Sequence, residues 1–226
     1  MGLGAVSDHD DPCTFFYPFL NCLNGCVCRV MYGVTPLSPS PLPRRGPALL
    51  VSNHSSLGDP LVLLATAGRS LHFLMAREIY DRRMMNWAFR AFRTIPVSRG
   101  ARDVRAVRSM LKVLERGEVV ALFPEGGIDQ FRDESGHMGV AYLAVKTGAP
   151  VIPVAVSWER QRPSSIVGTL FVPGRVMVRY GEPLRFPQNV NPKRDELDSI
   201  TKQVMSRIKE LGAFRAENES DQNKSI

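Results

Sequence analysis

Three short apolar runs constrain this chain more than any other feature: Ala48-Leu-Leu-Val-Ser52, Glu118-Val-Val-Ala-Leu-Phe123 and Val151-Ile-Pro-Val-Ala-Val-Ser157. Each has strand length, and each reads as a strand buried inside a sheet. Leu71–Met75, Thr94–Val97 and Arg175–Tyr180 read as further strands. Helical patterns stand between them. Pro60–Ala67 is expected to be a helix, with Asp59 at its N-cap and Pro60 at its first position. Asp103–Arg116 is amphipathic: Val104, Val107, Leu111 and Leu114 form an apolar face, Arg105, Arg108 and Lys112 a basic one, and Gly117 stops it. Gly139–Lys146 is helical in pattern. A last helix opens at Asn191-Pro192 with the stripe Leu197, Ile200, Val204, Ile208 and Leu211, and a polar tail follows from Arg215. Strands alternating with helices predict an α/β fold, a mixed, mostly parallel central sheet flanked by helices.

The length of 226 residues supports one sizeable core, so one main domain is expected, over residues 48–214. Before it lies an N-terminal apolar segment, residues 1–35, joined by a proline-rich connector, residues 36–47. Between Pro12 and Cys28 there is no charged residue, but Pro18, Asn21, Asn24 and Gly25 interrupt the run. It is shorter than the roughly 20 apolar residues that a spanning helix needs. Two readings stand for it. Its aromatics Phe15, Phe16, Tyr17 and Phe19 suit a membrane interface, and the same pattern suits a helix packed on the domain's own core.

Asp8, Asp10 and Asp11 are the wrong charge for the start of a secretory signal, and Val6 stands where a myristoylation signal needs Ser or Thr. The four cysteines, Cys13, Cys22, Cys26 and Cys28, lack zinc-finger spacing and read as reduced thiols. The net charge of +7 implies an anionic partner, whether nucleic acid, lipid surface or phosphorylated substrate. No nucleic-acid-binding motif is present, which argues against the first. No Gly-x-Gly-x-x-Gly follows the first strand, which argues against a dinucleotide site.

Candidate chemistry gathers where strands end. Asn53-His54-Ser55-Ser56-Leu57-Gly58-Asp59 follows the first strand. Imidazole can take a proton from a hydroxyl near neutral pH, and a carboxylate beside it fixes its tautomer. On these residues alone, base and orienter compete with structural histidine and helix cap. Phe123-Pro124-Glu125-Gly126-Gly127 ends the strand at 118–123. Gly126 and Gly127 let a ligand approach backbone N–H groups, and Glu125 can accept hydrogen bonds from a polyol. Arg99, in Ile95-Pro-Val-Ser-Arg-Gly100, stands where a guanidinium could hold a phosphate.

Taken together, Asn53-His54-x4-Asp59, the strand-terminal Arg99, Phe123-Pro-Glu-Gly126 and Val151-Ile-Pro-Val154 resemble the four motifs of the glycerolipid acyltransferase family, the 1-acylglycerol-3-phosphate acyltransferase-like group. Arg179-Tyr-Gly-Glu-Pro-Leu184 is similar to its closing strand and turn. The resemblance implies acyl transfer to a lysophospholipid hydroxyl, with acyl-CoA or acyl carrier protein as donor substrate and no further cofactor or metal. It implies His54 and Asp59 as catalytic residues, and Arg99, Glu125, Gly126 and Gly127 as substrate-binding ones. It also implies attachment to an anionic membrane surface at the cytoplasmic face, peripheral or monotopic, and no nucleic-acid partner. Acylation of another lipid hydroxyl, or thioester hydrolysis, is the alternative. Two departures bear on the acceptor. Gly127-Ile128-Asp129 stands where the family often has Thr-Arg-Ser, and His137-Met138 where it commonly has lysines.

Overall fold

The structure, a computed structural model, describes residues 15–83, 86–98, 103–124, 134–159 and 173–222. Its strands are β1 (Thr35–Pro36), β2 (Ala48–Ser52), β3 (Leu71–Ala76), β4 (Ile95–Val97), β5 (Val119–Leu122), β6 (Val151–Trp158) and β7 (Val176–Tyr180). Its helices are α1 (Tyr17–Met31), α2 (Asp59–Thr66), α3 (Arg77–Tyr80), α4 (Asn86–Ala91), α5 (Val104–Glu115), α6 (Glu134–Thr147) and α7 (Arg194–Gln222). Among the described residues the strands form one seven-stranded sheet in the order β1-β7-β6-β2-β5-β3-β4. β2 through β6 are mutually parallel, and β7 joins β6 antiparallel.

Alternation along β2 sets the layers. Ala48 and Leu50 join a core with Cys28 and Tyr32 of the N-terminal region and Val62, Leu63 and Leu64 of α2. Leu49 and Val51 face the other way, onto Met110 and Val113 of α5, Leu143 of α6, and Ile200 and Val204 of α7. All five β2 residues are buried, as expected for a strand covered on both faces. Burying each such leucine or valine contributes about 1.5–3 kcal/mol. The two edge strands are very short, and each contains a proline, Pro36 or Pro96, so neither offers a long row of unpaired amides.

Pro153 lies inside a central strand, where a missing N–H usually breaks a ladder. Its carbonyl still accepts the Gly181 N–H at 2.8 Å, so the strand keeps one main-chain bond at this position. A Cβ on Gly181 would stand 2.9 Å from Leu211 Cδ1 and 3.0 Å from Pro153 Cγ, so a side chain here would require Leu211 and the Pro153 ring to give way.

Several elements differ from expectation. Asp59 is the first residue of α2 and Gly58 its N-cap, with no side-chain cap bond, because the Asp59 carboxylate is drawn elsewhere. The buried face of α5 is Ala106, Met110, Val113 and Leu114, while Val104 is 55% exposed. The helix is capped by Asp103, which accepts from the Arg105 and Ala106 N–H groups, and this places Val104 outside the sheet contact. α6 starts earlier than expected, at Glu134, and α7 later, at Arg194. The turn before α7 is closed by Asn189, which accepts the Asn191 N–H and donates to Glu196 Oε2. α7 then runs on to Gln222, past Arg215.

The stretch from Pro36 to Pro47 joins two parts of one body. β1 pairs with β7, Ser38 Oγ bonds both main-chain groups of Tyr180, and α1 packs on α2. Asn24 Nδ2 and the Cys28 thiol both reach Leu61 O, at 2.9 and 3.5 Å. α1 therefore packs on the core with one face. Its other face leaves Phe19, Leu23 and Val30 exposed, and Phe15 and Phe16, just before the helix, are exposed as well. Among the described residues no helix is long and apolar enough to cross a membrane.

Candidate active site at the carboxyl end of the sheet

The carboxyl ends of β2, β5 and β6 lie side by side, so the residues that leave them share one edge. Open α/β sheets bind ligands along this edge. β2 ends at Ser52, and Asn53 extends its pairing by side chain. Asn53 Nδ2 donates to Val156 O at 2.9 Å, and Asn53 Oδ1 accepts the Val156 N–H at 2.8 Å. The amide thus replaces one rung of the ladder to β6 while the backbone turns away. His54 is the next residue.

The turn is built around Asp59. Its Oδ2 accepts the N–H groups of Ser55 at 2.7 Å and Ser56 at 2.8 Å, and lies 3.0 Å from His54 Nδ1. Its Oδ1 accepts the indole N–H of Trp158, at the end of β6, at 2.7 Å. Ser56 closes the loop by accepting the Gly58 N–H on its hydroxyl and the Asp59 N–H on its carbonyl. Asp59 is fully buried, and burial of a carboxylate is costly unless N–H donors surround it. Four of them do so here.

Because Oδ2 is an acceptor, His54 presents Nδ1–H to it, and Nε2 carries the lone pair. The His54 ring stacks on Phe123 with centroids 4.2 Å apart and planes at 20°. Phe123 in turn stacks on Phe73 at 5.8 Å. The imidazole is thereby held on one side by a carboxylate and across its face by an aromatic ring that also stabilises positive charge. The arrangement can accept a proton at Nε2 while the carboxylate balances the charge that forms.

Among the residues expected at the site, His54 and Asp59 are brought together. Arg99, Glu125, Gly126 and Gly127 lie outside the described residues. Val151–Val154 is buried β6 core and supplies the strand that Asn53 grips. The Cys28 thiol is buried and pushed up to about 12 by that burial. Among the described residues, no group of three metal-ligating side chains could hold an ion.

Two contributors went unread in the sequence, Trp158 and Phe123 as a ring. Trp158 is 99 positions from Asp59 and matches no expected motif. The available signal was chemical: a tryptophan ending a buried strand needs an acceptor for its N–H.

The sequence pattern of the family described as Acyltransferase matches residues 37–157. A 1-acyl-sn-glycerol-3-phosphate acyltransferase from Bacillus subtilis (strain 168) is 27% identical over 192 residues, 84% of this chain and 91% of that enzyme. A chloroplastic 1-acyl-sn-glycerol-3-phosphate acyltransferase from Brassica napus is 29% identical over 117 residues, but these are 49% of this chain and 33% of that protein. The crystal structure of the 1-acyl-sn-glycerophosphate (LPA) acyltransferase PlsC from Thermotoga maritima superposes with a TM-score of 0.66 at 22% identity, covering 92% of this chain and 84% of that one. That last likeness bears on the fold, and it agrees with the layered sheet described above. The family match spans more than half of the chain and contains both halves of the His54–Asp59 pair, so this protein belongs to the acyltransferase family and is an acyl-transferring enzyme.

Proposed function

We propose that the protein moves a fatty acyl group from an acyl thioester, acyl-CoA or acyl carrier protein, to the free hydroxyl of a lysophospholipid. The first candidate is 1-acyl-sn-glycerol-3-phosphate, giving phosphatidic acid. The observation that carries this reading is the His54–Asp59 contact at 3.0 Å, with the carboxylate buried and His54 partly exposed at the sheet edge. In this reading His54 Nε2 takes the proton of the acceptor hydroxyl as its oxygen attacks the thioester carbonyl. The tetrahedral intermediate collapses, the C–S bond breaks, and the departing thiolate recovers the proton from the imidazolium. Ester replaces thioester, thiol replaces hydroxyl, and no covalent acyl-enzyme is formed.

Arg99, Glu125, Gly126 and Gly127 are proposed as the groups that hold the acceptor and the developing oxyanion. Relatives named for 1-acyl-sn-glycerol-3-phosphate support this acceptor. Gly127-Ile128-Asp129 in place of Thr-Arg-Ser favours a second reading, in which the hydroxyl belongs to a different lipid. The exposed aromatic face of α1, with the net charge of +7, supports a resting place on an anionic lipid surface at the cytoplasmic face.

The test is an acceptor screen with purified protein, one labelled acyl-CoA and a panel of lysolipids that includes lysophosphatidic acid. Labelled phosphatidic acid is the expected product. Another labelled lipid selects the second reading, and free labelled fatty acid in the presence of acceptor selects hydrolysis. His54→Ala is expected to lower transfer about 10²–10⁴-fold with an unchanged circular dichroism spectrum. Wild-type transfer by a folded His54→Ala protein would sink the assignment.

A further inference from the structure

The geometry points to Trp158 as a positioning residue for the reaction, acting through its indole N–H on Asp59. This rests on the reading of His54 and Asp59 as base and orienter, and it adds a residue that the four motifs do not contain. Three N–H groups meet Asp59 Oδ2: those of Ser55, Ser56 and His54. All three come from the loop that also carries His54, so they move with it. They leave rotation about the Asp59 Cβ–Cγ bond restrained at one oxygen only. Among the described residues, the hydrogen bond at Oδ1 comes from Trp158, at 2.7 Å. That donor sits at the end of β6, where Trp158 pairs with Val176 of β7, on a different element from the three loop donors. Two oxygens held from two separate elements fix the carboxylate plane, and therefore the direction in which Oδ2 meets Nδ1.

The donor itself is well fixed. Trp158 is 6% exposed, and Tyr32, fully buried, meets its ring edge-on with centroids 5.2 Å apart. Indole has a donor and no acceptor, so it can bond the carboxylate in one sense only. A hydroxyl or a water there could reverse its hydrogen bond as charge moves. The indole also withdraws electron density from the carboxylate, which moderates how strongly Asp59 holds the imidazolium that forms at His54. Residues that orient a reactive group in this way change rate more than binding.

The experiment replaces Trp158 with Phe, which keeps a ring and removes the N–H. A second protein carries benzothienylalanine at position 158, which keeps the bicyclic shape with sulfur in place of N–H and covers the case in which Trp158→Phe fails to fold. Acyl transfer is followed with acyl-CoA and the acceptor that the screen identifies, across pH. The expected result is a fall in kcat of about 10- to 100-fold. KM for donor and acceptor stays within about twofold, and the acid limb of kcat/KM moves to higher pH, because the carboxylate without the indole holds a charged imidazole more strongly. Wild-type kcat and an unmoved acid limb in either protein overturn the proposal. A fall in kcat without movement of the limb also overturns it, since packing alone would produce that. His54→Ala separates the two levels. If it retains transfer, the pair itself is misassigned and the role of Trp158 falls with it; if it is inactive while the Trp158 proteins behave as wild type, only the positioning role fails.

Discussion

Asp59 has two claims on it, and its environment decides between them. A helix N-terminus attracts a carboxylate, yet the Asp59 side chain turns back and collects N–H groups from Ser55, Ser56, His54 and Trp158. The choice follows from position. As the first residue of α2, with Pro60 next, Asp59 stands where a capping carboxylate would have to precede the helix. Asp59→Asn exposes the difference. The amide must present its oxygen to the Ser55 and Ser56 amides, so its NH₂ then faces the indole N–H, donor against donor. The expected outcome is a loss of transfer at least as large as that of His54→Ala, plus destabilisation of about 1–3 kcal/mol from the unmet buried groups. Activity and urea unfolding measured on both proteins check this. An Asp59→Asn protein as stable as His54→Ala would mean that the four donors contribute little to folding.

Elements were legible in the sequence where burial alone decides them. β2 matches its expected bounds, Ala48–Ser52, because every residue in it is buried and apolar or small. The stripe Leu197, Ile200, Val204 and Ile208 of α7 is buried as its periodicity requires. The buried face of α5 departs from its apolar pattern because Val104, apolar but in the first turn, lies beyond the reach of the sheet, and the small Ala106 is buried instead. At the site, spacing was enough to pair His54 with Asp59, since both lie in one loop. Trp158 was illegible because its bond joins the ends of two neighbouring strands, and such adjacency follows from sheet order alone.

The other end of the sheet carries its own charged set. His72, fully buried on β3, lies 3.1 Å from Glu118 Oε2 just before β5, with Arg116 at 3.0 Å and Arg93 at 3.7 Å. Burial would raise the Glu118 carboxyl, but the bonds and charges of His72 and Arg116 outweigh it and hold Glu118 at about 2, against an ordinary 4.5. A carboxyl lowered in the folded state stabilises fully above its unfolded value. This stabilisation is therefore present above pH 4.5 and is lost as pH falls toward 2. Glu118→Gln should flatten the fall in melting temperature over that window and lower it at pH 7. A slope identical to wild type between those values would rule out the linkage.

At the scale of the whole molecule, chemistry and surface are joined through α1. One face of the helix is tied to α2 through Leu61 O, two residues after Asp59, and the other is an exposed apolar stripe, Phe19, Leu23 and Val30. In the proposed reading that stripe meets lipid, with arginine and lysine supplying attraction to anionic head groups of about 1 kcal/mol each near the surface. Phe19→Asp with Leu23→Asp should abolish cosedimentation with anionic vesicles and leave hydrolysis-free turnover of a water-soluble, short-chain acceptor close to wild type. Raised salt should weaken the binding of the unsubstituted protein. Equal binding of the doubly substituted and unsubstituted proteins would remove α1 from the interface.

The pairing of β1 with β7 has a consequence in time. Ser38 bonds both main-chain groups of Tyr180 across 142 positions of sequence. During synthesis the first strand to emerge is therefore among the last to find its neighbour, because β7 must leave the ribosome first. Contacts so distant along the chain form late in folding. Until then α1 has α2 to lean on but no anchored strand behind it, and its aromatic stripe is in solution throughout. In the proposed reading, the stripe that meets lipid is exposed before the strand behind it is anchored.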